Sequence, residues 1–289
     1  MNFLQVAILR WYHANLTASF ACGPFPLGLA FDGANIWVAN NSGNNVTKLR
    51  ACDGANLGTF AVGTFPEGMA FDGAHIFVTN FGSNNVTKLR ASDGTTLGTF
   101  AVGTGPEGVA FDGDNIWVAN AGSNNVTELR ASDGTNLGTF AVGSQPRSVV
   151  FDGDHIWVTN RLSNNVTKLR ASDGVNLGTF AVGTFPLGAA FDGANLWVVN
   201  ANSNNVIKLR ASNGANRGTF AVGSGPRAVA FDGEDMWIAN ASSNNVTKLR
   251  ARDGTNLGTF PVGNAPQNVA FDGANIWVSN SVSDTVSKL

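Results

Sequence analysis

With 289 residues, of which 43% are hydrophobic and only 13% charged, the chain has ample apolar material for a packed core and too few charges for a disordered one. The net charge of −2 arises from 18 basic and 20 acidic residues spread without runs, which excludes a basic stripe for nucleic acid. No segment approaches the roughly 20 apolar residues needed to cross a bilayer as a helix, so no membrane span is expected.

At the start of the chain, the apolar run Met1 to Leu9 lacks a basic n-region and a small-residue cleavage site, which makes it a poor signal peptide. Residues 1–15 read as a leader and residues 16–289 as one domain. The single-domain reading follows from an internal period that overrides the length prior. Phe-Asp-Gly begins at Phe31, Phe71, Phe111, Phe151, Phe191, Phe231 and Phe271, a fixed spacing of 40 residues.

Apolar residues within a unit alternate or run in short bursts bounded by Gly, Asp, Asn and Pro, and none recurs with a helical period. In the second unit the pattern predicts strand A over Gly68 to Phe71, B over His75 to Asn80, C over Asn85 to Ala91 and D over Leu97 to Val102. Asp72-Gly73 and Asp93-Gly94 tolerate the positive φ of tight antiparallel turns. Four short strands per unit describe a propeller blade, so the expected fold is all-β, a seven-bladed β-propeller. Small residues such as Ala30, Ala70 and Ala110 suit a crowded innermost strand. Trp37, Trp117, Trp157, Trp197, Trp237 and Trp277 on strand B, with Phe77 in their place in the second unit, would fill the gaps between blades. The strand D phenylalanines from Phe20 to Phe260 would join them there.

The chain ends after strand C of the last unit, and its missing strand D is matched at the other terminus, where Leu16 to Gly23 aligns with Asn56 to Gly63. A 3+1 closure would remove two exposed sheet edges. A rival exists in the leader, where Val6, Leu9 and Arg10 match Val46, Leu49 and Arg50. Cys22 and Cys52 fall at opposite ends of their strands and are expected as free thiols. Asn-x-Thr sequons such as Asn45-Val46-Thr47 come with the repeat and carry no information on secretion.

In a propeller the D-to-A and B-to-C connections share one face, and it is there that the units differ. Glu67, Glu107, Arg147 and Arg227 follow the repeated proline, Arg161 opens a B-to-C loop, and Phe65 and Phe81 stand nearby. Such a face would hold a ligand bearing both charge signs, with the rings stacking on an apolar or sugar surface. The plainer reading is that these are drifting exposed positions. Chemistry is poorly supplied: His13 lies in the leader, and His75 and His155 lie beside the A-to-B turns of the opposite face. No Ser or Cys has a base nearby, so no catalytic residue, metal or cofactor is expected. Glu67 and Glu107 alone would hold a metal only weakly. The expected partner is a small molecule, glycan or protein at the funnel mouth, bound by a monomer.

Ile36-Trp37-Val38-Ala39-Asn40 and Ile76-Phe77-Val78-Thr79-Asn80, with Pro-x-Gly-x-Ala ahead of them, closely resemble the YVTN family of β-propeller repeats, over residues 16–289. That resemblance implies a bacterial or archaeal protein of binding or scaffolding type at the cell surface, in the periplasm or secreted. The architecture is also similar to that of the streptogramin (virginiamycin B) lyases, which open cyclic depsipeptides with a magnesium site and a His base at the funnel. Here the strand B ends are Asn and no His occupies a D-to-A or B-to-C loop. A non-catalytic binding or scaffold protein is therefore the preferred reading, and a magnesium-dependent lyase the alternative.

Overall fold

The computed structural model describes residues 17–289; the leader, with His13 and the rival strand around Val6, Leu9 and Arg10, lies outside them. The described chain folds into seven four-stranded antiparallel sheets. Blade 1 is strand A (Pro26–Phe31), B (Asn35–Asn40), C (Asn45–Arg50) and D (Asn56–Ala61), and the pattern repeats to Pro261 in blade 6. Blade 7 takes A (Pro266–Phe271), B (Ile276–Asn280) and C (Thr285–Lys288) from the C-terminus and D (Ala18–Ala21) from the N-terminus. In that last sheet Ala18 pairs with Lys288 and Phe20 with Val286, which is the 3+1 closure.

Strand boundaries shift slightly from the sequence expectation. Strand A of blade 2 starts at Pro66, because Pro66 already faces Asn80 across a bulge that ends at Met69. Strand C stops at Arg90 and D begins at Thr96. The turn between them is wider than a two-residue hairpin: the Gly94 N–H donates to the Arg90 carbonyl at 2.8 Å, and the Thr95 N–H to Asp93 Oδ1 at 3.0 Å. Gly94 has φ +76°, and the Phe60 ring of blade 1 fills the space a Cβ would take, so two separate constraints select glycine. At the axis, a Cβ on Gly28 or Gly68 would overlap the carbonyl oxygen of the neighbouring blade's Glu67 or Glu107. Where two such strands approach this closely there is no room for a side chain, whereas blades 4, 6 and 7 carry Ser148, Ala228 and Asn268 at the same position.

The cores sit between blades. Trp157 and Val166 of blade 4 pack with Leu196, Val198 and Leu209 of blade 5, and Trp277 and Val286 of blade 7 with Leu29, Ile36 and Leu49 of blade 1. Polar bonds cross the same closing seam, from Ser279 Oγ to the Leu27 carbonyl at 2.6 Å and from Lys288 Nζ to the Ala51 carbonyl at 2.7 Å. The ring is thus sealed by kinds of contact that also join other blades, as where Thr79 Oγ1 donates to the Glu107 carbonyl at 2.6 Å and Lys88 Nζ to the Ala131 carbonyl at 2.7 Å. Each tryptophan of strand B is also anchored at its polar edge. Six indole N–H groups donate to the Asp of Phe-Asp-Gly at 2.6 to 2.8 Å, from Trp37 to Asp32 through Trp277 to Asp272. Blade 2 has Phe77 instead, and there the His75 ring lies 2.9 Å from Asp72 Oδ2 and takes over the carboxylate. Burial alone would raise these aspartates, yet indole, side-chain and backbone donors hold Asp32, Asp152 and Asp192 below the usual carboxylate range.

The repeated sequons serve the blade interior. Asn45 Oδ1 accepts from Asn40 Nδ2 at 2.7 Å, and the buried Thr47 hydroxyl accepts from the same amide at 2.8 Å. Cys22 and Cys52 are both free; burial, then the charge of Asp284, pushes the Cys22 thiol up to about 12.

Opposite most tryptophans stands a lysine: Lys48 Nζ lies 5.0 Å from the Trp37 ring centre and donates to the Ala91 carbonyl of the next blade at 2.6 Å. Blade 3 has Glu128 there, which accepts from Asn115 Nδ2 at 2.8 Å and leaves the cross-blade bond unmade. Burial, then the charge of Asp112, raises its carboxyl.

Trp157→Ala is expected to cost about 3 to 5 kcal/mol through the lost ring and cavity, read as a lower denaturation midpoint by circular dichroism. Glu128→Lys should stabilise by about 1 kcal/mol at neutral pH, since it restores the residue of the other blades. A glutamate whose folded pKa is raised favours the folded state at low pH and loses that benefit as pH rises through it. The gain from Glu128→Lys should therefore shrink as pH falls through the raised Glu128 pKa towards the ordinary glutamate value, and a thermal melting series from pH 7 down to pH 4 checks it.

Candidate functional site at the funnel mouth

The two connections that differ among blades meet on one face and are tied across the blade seams. At blade 2 the Phe65 N–H donates to Asn44 Oδ1 of blade 1 at 2.9 Å, and the Thr64 N–H to Ser83 Oγ at 2.7 Å. The Phe81 N–H then donates to the Phe65 carbonyl at 2.9 Å. Asn44 and its copies thus serve loop backbone. The residue before each strand A proline, from Pro26 to Pro266, has φ between +51° and +61°. Gly105 and Gly225 adopt that conformation freely, whereas Phe25, Phe65 and Phe185 hold it at a cost of about 1 kcal/mol each. Phe25, Phe65 and Phe81 remain 40%, 51% and 41% exposed, an aromatic rim over blades 1 to 3.

The residues after the proline converge on the axis around a cavity of about 150 Å³, lined by Glu67, Glu107, Arg147, Arg227 and Gln267 among others. Arg147 Nη1 bonds Glu67 Oε2 at 3.1 Å and pairs still more closely with Glu107 Oε2, so a single guanidinium bridges carboxylates from two other blades. Glu107 is 4% exposed. Burial raises the Glu67 carboxyl, with Arg147 opposing and Glu107 adding to the rise. Arg147 itself is driven upward: burial disfavours its charge, but Glu107 and Glu67 together outweigh burial. Glu67, Glu107 and Arg147, which the sequence presents as a mixed-charge patch, are therefore an ion triad, and the space between the two carboxylates is taken by Arg147.

The remaining cations are placed differently. Arg227 lines the axial cavity and also a side pocket of about 360 Å³ between blades 5 and 6, formed with Phe185, Asn202, Ser224 and Ser242. Burial, then repulsion from Arg147 and Arg161, pulls its pKa below the usual arginine value, with Glu67 opposing. Among the described residues Arg227 makes no ion pair. Arg161 stands apart from the axis, held by Gln145 Oε1 at 3.0 Å and stacked 5.3 Å from the centre of the Phe185 ring. Sequence reasoning overlooked Phe185 as a site residue; its signal was the pair of arginines that bracket it. Phe65 and Phe81 lie on the rim rather than in the axial cavity.

Arg147→Ala would leave two carboxylates facing each other unpaired and should cost about 2 to 3 kcal/mol at neutral pH. With the cation gone the protonated form of Glu67, already favoured by burial, is favoured further, so the folded state is worst off at high pH and recovers as pH falls through the raised Glu67 pKa. Urea midpoints at pH 7.5 and pH 4.5 that differ far more for the variant than for the parent would show this.

The described chain is a closed seven-bladed β-propeller with an ion-paired axial funnel and an open arginine beside it. No family model and no curated protein matches the sequence. Solved structures do match in shape. One is virginiamycin B lyase from Staphylococcus aureus, with TM-score 0.82 and 18% identity over 94% of this chain and 98% of that one. A streptogramin B lyase gives TM-score 0.81 and 18% identity, covering 94% and 96%. Hydrazine synthase of Kuenenia stuttgartiensis gives TM-score 0.81 and 20% identity, covering 92% and 95%. At that level of identity the likeness is one of fold.

Proposed function

We propose that this protein is a non-catalytic binding propeller of YVTN-repeat type, which takes a small molecule or glycan carrying a carboxylate at the funnel mouth. The observation that carries this reading is Arg227, an exposed residue that has no carboxylate partner among the described residues and stands at the junction of the axial cavity and the side pocket. A bound carboxylate would supply that partner through a bidentate pair. The exposed Phe25 and Phe65 of the rim support a ligand with a flat apolar or sugar face, since they hold a costly backbone conformation and gain little burial from it. Phe185 lines the side pocket beside Arg227, and Arg161 stacks on its ring.

Titration calorimetry with a panel of uronic acids, aromatic carboxylates and the matching neutral sugars tests the reading. The expected result is saturable binding of a carboxylate, weakened at least about tenfold, one charge-assisted bond, in Arg227→Gln. Binding unaltered by Arg227→Gln and by Phe65→Ala would sink it. A second reading, a magnesium-dependent lyase on cyclic depsipeptides, draws on the two lyases of similar fold. The axial cavity lining offers it Glu67 and Glu107 but no histidine. Linearisation of a streptogramin B substrate in the presence of magnesium would decide for that reading.

A further inference from the structure

On the face opposite the funnel mouth, an arginine ends strand C of blades 1 to 6, and in five of the six it is neutralised by the aspartate three residues on. Arg50–Asp53, Arg90–Asp93, Arg130–Asp133, Arg170–Asp173 and Arg250–Asp253 pair at 2.8 to 3.4 Å. Blade 5 departs from this. Asn213 replaces the aspartate and keeps the turn, accepting from the Ala215 N–H at 3.1 Å much as Asp53 accepts from Ala55 at 3.0 Å. The turn is preserved and the negative charge is gone. Among the described residues Arg210 therefore has no carboxylate partner.

A second departure lies four residues further on. Where blades 1 to 4 and 6 carry Leu57, Leu97, Leu137, Leu177 and Leu257, blade 5 carries Arg217. Arg210 and Arg217 line one cavity of about 1040 Å³ between blades 4 and 5. Each change makes the blade more positive by one charge, and both act on the same space. Independent drift at exposed positions gives no reason for that coincidence.

We propose that this cavity is a second binding site, for a dianionic oxyanion group, phosphate or sulfate, with Arg210 and Arg217 as its ligands. Two guanidinium forks fit tetrahedral oxyanions in a way that one lysine cannot. The opposite wall belongs to blade 4. Lys168 is spent on the Ala211 carbonyl at 2.7 Å, and Asp152 on the Trp157 indole at 2.7 Å and the His155 ring at 3.1 Å. Asp154 also lines the cavity and is not ion-paired among the described residues, so it would repel a bare anion but accept a hydroxyl. The arrangement suits an oxyanion carried on a hydroxylated body: the anionic end at the two arginines, the hydroxyls towards Asp154.

The test exploits the repeat, because the other blades supply substitutions already known to fit. Asn213→Asp rebuilds the Arg210 ion pair and Arg217→Leu restores the common residue, so neither threatens the fold. Calorimetric titration at about 0.15 M salt, where exposed charges more than about 8 Å apart are largely screened, would use inorganic phosphate, inorganic sulfate, glucose 6-phosphate and glucose. Saturable binding of at least one anion is expected, weakened about tenfold or more in each variant and lost in the double variant. Glucose 6-phosphate binding more tightly than inorganic phosphate would assign the site to an ester, and the reverse to the free ion. No saturation by any anion, or affinities unchanged in both variants, would overturn the proposal. Arg227→Gln, on the other face, should leave this binding intact, so the two sites stand or fall separately.

Discussion

The bond on which the rest of the wheel depends joins one carboxylate to one indole. Within a seam between two sheets a tryptophan buries a large apolar surface but also carries an N–H that must find an acceptor. The Asp of Phe-Asp-Gly provides it at 2.6 to 2.8 Å in six blades. That aspartate also organises the A-to-B turn through backbone N–H groups, as Asp32 does for Ala34 and Asn35. Turn, ring orientation and seam packing are thereby fixed by one residue. Where blade 2 has Phe77 in place of tryptophan, the His75 ring lies against the carboxylate oxygen that accepts the indole in the other blades, whereas His155 of blade 4 contacts Asp152 beside its indole bond.

Such a scaffold is symmetric, and its interest lies in where symmetry fails. At the axis the position after each proline is free to vary because only the backbone is needed for closure. Side chains from blades 2, 3 and 4 meet there as an ion triad around the buried Glu107, and Arg227 approaches with no ion-pair partner among the described residues. A guanidinium held by two carboxylates is a structural element, whereas an unpaired one beside two cavities can take a ligand.

The same comparison within one chain exposes departures elsewhere. Glu128 gives up a cross-blade lysine bond, and Asn213 with Arg217 converts a neutral turn into a basic one. Since the remaining blades show what stability requires at each position, a deviation that keeps the turn and changes the charge stands out against them.

Much of this architecture was legible in the residues alone. A strict period, Asp-Gly turns, alternating strands and the displaced strand D around Phe20 all follow from local patterns that repeat, and repetition turns weak propensities into a strong signal. The outcome of the charged residues was not legible. Glu67, Glu107 and Arg147 are separated by 40 residues each, and only the radius of the ring brings them within bonding distance of one another. The same closure left Arg161 with Gln145 and Phe185, away from the axis where its charge alone would have placed it. Sequence determined the blade, because a blade is built from neighbours in the chain. Tertiary structure decided which charges cancel and which remain open, because that depends on distances across the funnel that no local pattern encodes.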